Sequence, residues 1–429
     1  MDNSDGISVR YIYSACIVTA TPDVKILHDP WFTEGIYDGA WFHFPKCENP
    51  IGIIGDVDYI FISHVHPDHY DSRFIKEYFS VYGEKPILIA SREVNHLRNK
   101  MRADGLSSQV VDKPLLIGRT TVTILPHNTG SLSDLDSLIV IKYNDGSKVH
   151  SVVNTNDIVF DEKILTELQA VASQPDILLC GYTGAGPYPQ TYFDLDDPLI
   201  IEEANKKRLA FFDRYLYLTN GLRAKVNIPF AGKYLLGGRL AHLNRYRGVA
   251  DAVEVLDIDP RAVVLADFDG AINTATLQPT GVRAVGYSND AIEMRVRAIR
   301  EFKMSYELLI NGSEIHQLPL KRLLFFAAKK AKSVMKYNSD YYFIIQIPDG
   351  EFAVINLNNS DSSQVNYIDA IPENLTPRSE IYIDPRYLFG LLTNVYHWNN
   401  AEVGSQFVVR RVPNIFNRHV QSFLNFLSI

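Results

Sequence analysis

A short run of histidine and aspartate directly after an apolar stretch constrains this chain more than any other feature. The apolar stretch, Tyr59-Ile60-Phe61-Ile62, has the β-branched and aromatic content of a buried strand. Three imidazoles and one carboxylate follow within six positions: His64, His66, Asp68 and His69. Because side chains alternate between the faces of a strand, we expect His64 and His66 to point the same way as the chain leaves the sheet.

These four residues are predicted to bind metal ions. Imidazole and carboxylate groups are good ligands and poor core residues. Pro67 ends the strand, and the turn after it can bring Asp68 and His69 to a second position close by, which suits two ions in one cavity. A histidine-rich surface loop is the alternative. The chain has only 12 histidines in 429 residues, so such a cluster rarely arises by chance.

Length and composition indicate a globular protein of two or three units. Hydrophobic residues make up 46% of the chain and charged residues 21%, which is typical of folded proteins. The formal net charge of -8 argues against a general binder of nucleic acid or anionic membranes. No apolar run approaches the roughly 20 residues that span a bilayer.

The cysteines and the N-terminal residues predict a location in the cytoplasm. Cys16, Cys47 and Cys180 are an odd and scattered set, so no disulfide framework is expected and a reducing compartment fits. Residues 1–6 are acidic and polar and lack the basic and apolar regions of a secretory signal. A homo-oligomer is compatible with the sequence.

The pattern of strands and helices predicts two sheets sandwiched between helices. Strand pairs come early, with a hairpin turn at Asn144-Asp145-Gly146, and strands alternate with helices later. The later elements include predicted helices over 200–216 and near 247–255 and a strand over 262–266. This arrangement accounts for residues 1–280.

The character of the sequence changes at about residue 281. Helices are predicted over 293–306 and 321–334, and a hairpin across Asp349-Gly350. Residues 281–429 are therefore predicted to form a separate α+β segment. It could serve as a lid, a dimerisation element or a specificity domain.

The His-x-His-x-Asp-His pattern after an apolar strand resembles the metallo-β-lactamase superfamily, which implies an αββα sandwich in residues 1–280. Further segments, in the same order, resemble the metallo-β-lactamase-like part of the CMP-N-acetylneuraminate hydroxylases. A looser resemblance, up to about residue 270, is to the ascorbate-6-phosphate lactonase and N-acylphosphatidylethanolamine phospholipase D branches. The segments that carry the hydroxylase resemblance are Leu27-His-Asp-Pro-Trp31, the Trp41-Phe42 loop, Asn154-Thr-Asn-Asp157, Gly184-Ala-Gly-Pro-Tyr-Pro-Gln-Thr-Tyr192, Pro229-Phe-Ala-Gly232 and His397-Trp-Asn-Asn-Ala-Glu-Val-Gly404.

The resemblance implies that the remaining metal ligands come from the ends of later strands. His127 stands where the third histidine of the first metal is expected. Asp157 is the carboxylate expected to bridge both metals, although it could instead cap the next helix. His242 is the expected last ligand of the second metal, with a solvent-facing helix position as the alternative. Other candidates to assist or replace His127 are Asp134, Asp136 and His150.

This ligand set predicts a dinuclear metal-dependent hydrolase. Two ions about 3.5–4 Å apart can hold a hydroxide between them and polarise the oxygen that it attacks. Asp68 would orient the attacking water as well as ligate. The predicted substrate carries an ester, lactone, amide or phosphodiester. Zinc is the first choice of metal, with iron or manganese as alternatives.

The second hypothesis is a non-haem di-iron oxygenase component that hydroxylates a sugar nucleotide. The CMP-N-acetylneuraminate hydroxylases carry a Rieske iron–sulfur domain. This sequence has no Cys-x-His…Cys-x-x-His pair, and three isolated cysteines cannot form one. Oxygen chemistry would therefore require a separate electron-transfer partner. A third possibility is a non-catalytic descendant with a structural metal site.

The substrate is predicted to be a small anionic molecule, such as a sugar or a nucleotide sugar. Tyr188 and Tyr192 are predicted catalytic residues that donate hydrogen bonds to developing negative charge. The aromatic loop 37–45 could wall the substrate pocket or merely cover the sheet edge. His397-Trp398 is expected to anchor the C-terminal segment, with a position at the site as the alternative. A cationic clamp or a solvated helix face is predicted for Lys233, Arg239, Arg245 and Arg247.

Overall fold

The structure is a computed structural model that describes residues 6–128, 135–335, 338–358 and 364–429. No helix within these ranges is both long and apolar enough to cross a bilayer. The strands, in chain order, are β1 (Ser8–Tyr13), β2 (Cys16–Ala20), β3 (Lys25–His28), β4 (Trp41–His43), β5 (Tyr59–Phe61), β6 (Ile87–Ala90), β7 (Gln109–Val111), β8 (Leu115–Ile117), β9 (Thr120–Pro126), β10 (Ser137–Asn144), β11 (Val149–Asn154), β12 (Ile177–Gly181), β13 (Val226–Phe230), β14 (Tyr234–Leu236), β15 (Ala271–Asn273), β16 (Pro279–Thr280), β17 (Tyr342–Gln346), β18 (Phe352–Asn356), β19 (Asn366–Ile368), β20 (Arg378–Ile383) and β21 (Phe407–Val412).

The helices connect these strands and cover their sheets. The α-helices are α1 (Ile36–Gly39), α2 (Pro50–Ile54), α3 (Ser72–Tyr82), α4 (His96–Ala103), α5 (Glu162–Val171), α6 (Leu199–Leu222), α7 (Asn289–Ile299), α8 (Ser305–Leu309), α9 (Leu320–Met335), α10 (Pro385–Leu392), α11 (Trp398–Val403) and α12 (Arg418–Gln421). Short 3-10 helices cover Gly238–Asn244, Ala252–Asp257, Gly312–Gln317, Pro348–Gly350 and Ser422–Phe426.

Two large sheets form the first part of the molecule. One has the strand order β16-β15-β1-β2-β3-β5-β6-β7, and the other has the order β13-β12-β11-β10-β9-β8. Strands β3, β5, β6 and β7 run parallel, as do β11, β12 and β13. The carboxyl ends of parallel strands are where α/β proteins place their sites, because polar loop residues collect at that edge.

The two sheets pack face to face with helices on both outer sides, which confirms the predicted αββα sandwich. The inner core mixes apolar side chains of both sheets, among them Val9, Ile17, Ile26, Val122, Ile141 and Val152. Helices α3 and α4 cover the outer face of the first sheet. Helices α5 and α6 cover the outer face of the second.

The C-terminal part contains a five-stranded sheet of order β19-β18-β17-β20-β21. The predicted hairpin is present, because β17 and β18 pair antiparallel around Asp349 and Gly350. Side chains of this part share one buried cluster with the aromatic loop near the N-terminus, including Trp31, Trp41 and Phe343. The division into residues 1–280 and 281–429 stays a prediction.

Three predicted elements differ from the structure. The helix predicted over 293–306 is two helices, α7 and α8, which are separated by residues 300–304. The helix near 247–255 is instead a 3-10 helix that begins at Ala252, because Gly248 has φ of +65° and the capping box of Asp251 starts the helical turn. The strand over 262–266 is reduced to two isolated bridges, one between Ala262 and Asn227 and one between Leu265 and Arg283. The last two segments are irregular connections, although each buries an apolar side chain, Val255 and Leu265, in the core.

The buried imidazole of His28 joins the two sheets at the end where β3 and β11 finish. Its Nε2 lies 2.9 Å from Oγ1 of Thr19, and its Nδ1 lies 3.3 Å from Nδ2 of Asn154. The ring is 0% exposed, and burial lowers the pKa of His28 to about 3. The imidazole therefore stays neutral in the folded protein at pH values where an unfolded histidine takes up a proton.

We expect His28 to make folding stability depend on pH. Its pKa is lower folded than unfolded, so its contribution is fully present above about pH 6.5 and is lost as the pH falls towards 3. When the pH is lowered from 7 to 5, the free energy of unfolding of the wild type should fall by about 2 kcal/mol more than that of His28→Gln. Urea unfolding at both pH values measures this difference. His316→Gln, at an exposed histidine, is the control, and equal losses in wild type and His28→Gln would contradict the prediction.

Candidate metal centre

A closed turn holds the predicted ligands that follow β5. The amide N–H of His69 donates to the carbonyl oxygen of His66 at 3.0 Å, and the Tyr70 N–H donates to the same oxygen at 2.8 Å. Asp71 then caps α3 by accepting from the Phe74 N–H at 3.0 Å. The turn and the cap leave little conformational freedom between the strand and the helix.

Five of the predicted ligands converge in space. His64, His69 and Asp157 each contribute one possible ligand atom, and these three atoms lie within 4.8 Å of one another. The Nε2 of His69 lies 3.4 Å from Oδ2 of Asp157 and 3.6 Å from Oδ2 of Asp68. The Nε2 of His64 lies 2.9 Å from Nδ1 of His66. We refer to these five residues as the cluster; that they bind metal stays a prediction.

His127 and Asp136 lie next to the cluster. The Nε2 of His127 is buried and has no hydrogen-bond partner among the described residues. Its backbone N–H donates to the carbonyl oxygen of Asp136 at 2.8 Å. The Oδ1 of Asp136 lies 3.5 Å from Nδ1 of His64. An orphaned buried imidazole nitrogen fits a position that a metal ion would satisfy.

Two other candidates for this position were predicted. His150 is engaged elsewhere, since its Nε2 lies 2.9 Å from Oδ2 of Asp145 and its Nδ1 lies 2.9 Å from Oγ1 of Thr274. Asp134 lies outside the described residues. Ligation by His127, with Asp136 beside it, stays a prediction.

One buried carboxylate, that of Asp29, orients two of the imidazoles. It accepts from the N–H and the hydroxyl of Ser63, both at 2.7 Å, and its Oδ2 lies 3.1 Å from Nδ1 of His69. Because the hydroxyl of Ser63 donates to Asp29, its oxygen can accept from Nδ1 of His64 at 3.0 Å. In both histidines Nδ1 is thereby occupied and Nε2 is free to face the cluster, as in many metal sites.

The third imidazole and Asp68 are held by residues from distant parts of the chain. The Nε2 of His66 lies 3.2 Å from Oδ1 of Asn399, at the start of α11. An amide oxygen only accepts, so Nε2 carries the proton and Nδ1 offers its lone pair to the cluster. The hydroxyl of Tyr37 donates to Oδ1 of Asp68 at 2.5 Å, which leaves Oδ2 facing His69.

The charges of the cluster are strongly coupled. Burial, together with the rings of His69 and His66, holds the pKa of His64 well below its usual value. Burial also acts to lower the pKa of His69, but the carboxylates of Asp157 and Asp68 outweigh it and raise that pKa well above its usual value. Burial opposes ionisation of Asp157, yet His69 keeps its pKa low. The imidazole of His69 and the carboxylates of Asp68 and Asp157 therefore favour each other's charged forms.

His242 is not brought to the cluster. It is exposed in the 3-10 helix Gly238–Asn244, and its Nδ1 lies 2.9 Å from the carbonyl oxygen of Arg239. This matches the solvent-facing alternative. None of the four predicted clamp residues, Lys233, Arg239, Arg245 and Arg247, is among the described residues that line the cavity at the cluster. Arg239 pairs with Asp384 at 2.8 Å, and Arg247 is buried with Nη1 donating to the carbonyl oxygen of Tyr234 at 2.8 Å.

The two predicted catalytic tyrosines are engaged with glutamates. The hydroxyl of Tyr188 donates to Glu203, and that of Tyr192 lies 3.3 Å from Oε1 of Glu402. Burial, followed by the adjacent carboxylates, raises the pKa of both phenols. Neither side chain lines the cavity at the cluster. The geometry assigns them to packing, and the tyrosine that reaches the cluster is Tyr37, whose role sequence reasoning missed.

A cavity of about 530 Å³ opens onto the cluster. Asp68, His69 and Asp157 line it, together with Trp41 of the aromatic loop and residues of α6. The aromatic loop thus forms part of the cavity wall, which was one of the two predicted alternatives. A cavity of this size accommodates a small molecule next to the cluster.

The site and the αββα sandwich together define a candidate metalloenzyme, and comparison with known proteins gives relatives of that class. No family model matches the chain. The chain is 27% identical over 275 residues to a Mycobacterium tuberculosis protein named for a Rieske 2Fe-2S iron–sulfur centre, a match that covers 61% of this chain and 50% of the relative. It is 22% identical over 241 residues to the cytidine monophosphate-N-acetylneuraminic acid hydroxylase of Danio rerio, covering 53% and 38% of the two chains. The predicted resemblance to these hydroxylases is confirmed.

The matches cover half or less of the length of these curated relatives. Similar solved structures include CmlA, a diiron β-hydroxylase from Streptomyces venezuelae, with 15% identity, a TM-score of 0.40 and coverage of 65% of this chain and 54% of that one. Igni18, a metallo hydrolase from Ignicoccus hospitalis, has 15% identity and a TM-score of 0.40, and covers 66% of this chain and 100% of its own.

We expect Asn399→Ala to weaken metal binding by about tenfold, because His66 would lose the acceptor that fixes its tautomer. Equilibrium dialysis of the full chain against buffered zinc measures the affinity. Asn400→Ala, the next residue of the same helix, should bind like the wild type. Equal affinity in Asn399→Ala and Asn400→Ala would show that Asn399 does not support the site.

Proposed function

We propose that this chain is a dinuclear metal-dependent hydrolase whose two divalent ions are held by the cluster. The observation that carries the proposal is the convergence of imidazole nitrogens and carboxylate oxygens from two separate strand ends at one cavity. The proposed ligands are His64, His66, Asp68, His69 and Asp157, with His127 completing the first position. His242 has no part in this set, because its ring faces solvent.

Divalent ions bound at such a site supply Lewis acidity and lower the pKa of water towards about 7. The residues of the chain perform the remaining tasks. Tyr37 holds one oxygen of Asp68 and leaves the other free to orient a water and accept its proton. Asp29 keeps Nε2 of His69 directed at the cluster. Trp41 and the residues of α6 shield the bound substrate from bulk solvent.

Hydrolysis of an ester, lactone, amide or phosphodiester requires no electrons, and for that reason it stands first. The second candidate is a non-haem di-iron oxygenase component. It is favoured by the names of the relatives, a Rieske 2Fe-2S iron–sulfur protein and a hydroxylase. It would require an electron-transfer partner, because the three cysteines, Cys16, Cys47 and Cys180, are free and scattered. Free cysteines also support the proposed location in the cytoplasm.

Metal content and colour distinguish the two candidates. Protein purified without added metal should contain two ions per chain by elemental analysis, and His64→Ala/His66→Ala should lose both. Two zinc ions and no absorption change with dithionite support hydrolysis. Two iron ions with a visible band that dithionite bleaches support the oxygenase. His316→Ala controls for a general effect of losing a histidine, and full metal content in the double variant would refute the proposed site.

A further inference from the structure

Six aromatic rings line the cavity beside the cluster. They come from β4, β14, the segment after Asp157 and α6. Flat aromatic walls favour a flat apolar ligand, because ring stacking adds to the burial of apolar area. The aromatic lining residues are Trp41, Phe160, Phe211, Tyr215, Tyr217 and Tyr234.

One wall of the cavity is a rigid aromatic stack. The rings of Trp41 and Tyr234 lie parallel within 11°, with centroids 3.4 Å apart. The guanidinium of Arg247 covers the Tyr234 ring at 3.9 Å and is itself buried. Since all three side chains are fixed by these contacts, the wall is formed before a ligand arrives, which reduces the ordering cost of binding.

The ring of Phe211 packs directly against a glycine that also lines the cavity. A Cβ atom at Gly184 would lie 1.9 Å from Cζ of Phe211. A side chain at residue 184 would therefore force this ring to move. The glycine-rich loop thus contributes to the cavity by its backbone, whereas its tyrosines point elsewhere.

Arg214 gives the cavity a cation. Among the described lining residues it is the one arginine, and no lysine accompanies it. It is exposed, and no carboxylate of a described residue lies within 4.0 Å of its guanidinium, which stacks 4.9 Å from the centroid of Phe211. A stacked guanidinium still presents its N–H edge, which matches a carboxylate or phosphate group. Asp213 lines the same cavity and would oppose an anion there.

We infer that the substrate is a flat, aromatic-sized apolar molecule with an anionic group that binds Arg214, while its reactive group faces the cluster. This inference deepens the proposed function, because the cavity that it describes is the one at the proposed metal site. It assigns substrate recognition to α6 and replaces the sequence-predicted clamp. Phe211, Arg214, Tyr215 and Leu218 lie at helical i, i+3, i+4 and i+7 positions, so one face of α6 presents them together.

The test uses two probes of one shape with the metal-loaded full chain. Naphthalene-2,6-dicarboxylate carries the ring and anionic groups, and naphthalene-2,6-dimethanol carries the ring alone. Isothermal titration calorimetry should show that Arg214→Gln lowers the affinity for the dicarboxylate about tenfold and leaves the affinity for the diol unchanged. Asp213→Asn should bind the dicarboxylate a few times more tightly, because the substitution removes a negative charge near the bound anion. Phe211→Ala should bind both probes more weakly.

Two control variants outside the cavity test whether the loss of any arginine or phenylalanine changes probe binding. Arg297→Gln, on exposed α7, and Phe325→Ala, on α9, should bind both probes like the wild type. The inference is overturned if Arg214→Gln binds the dicarboxylate as the wild type does, or if the diol does not bind. The diol has no group that ligates a metal strongly, so its binding reports on the cavity even if the proposed hydrolase activity is absent.

Discussion

The buried carboxylate of Asp29 is the interaction on which the site depends. It is 0% exposed, and burial raises its pKa against the opposing effect of hydrogen bonds from His69 and Ser63. Through one direct contact and one relayed by the Ser63 hydroxyl, it determines which nitrogen of His69 and of His64 faces the cluster. Asp29 follows β3 and Ser63 follows β5, so the parallel pairing of these strands places the carboxylate correctly.

The C-terminal part of the chain completes this arrangement. Asn399 reaches His66, and the amide of Gln406 donates to the carbonyl oxygen of Tyr37 at 3.0 Å. Tyr37 and Asp38 both have positive φ, a conformation that is unfavourable for residues with a Cβ atom and needs such support. Tyr387 supplies a further contact, since its hydroxyl donates to Asp38 at 2.5 Å. The C-terminal segment, which the sequence predicts to be a separate unit, therefore supports the loop whose Tyr37 positions Asp68.

Sequence reasoning could predict what lies within one local segment. The run from His64 to His69 is visible because its residues are consecutive, and the αββα sandwich follows from the spacing of apolar residues. The contact of Asn399 with His66 could not be found in this way. The segment 397–404 carries part of the family resemblance, but 333 residues separate the two side chains and nothing in the sequence pairs them. Trp398 does anchor its helix as predicted, being 3% exposed with Nε1 donating to the carbonyl oxygen of Leu427 at 2.8 Å.

The misassigned residues show which signal was missing. His242 follows a strand, as a ligand should, but the 3-10 helix that carries it turns the ring to solvent, and sequence spacing does not specify that turn. At the cluster, burial and the carboxylate of Asp157 raise the pKa of Asp136, and the carboxylates of Asp157 and Asp68 raise the pKa of His69 against the effect of burial. Three carboxylates this close together, those of Asp68, Asp136 and Asp157, repel one another unless cations neutralise them. This charge imbalance, more than the count of histidines, is the physical argument for the metal binding that we propose for the cluster.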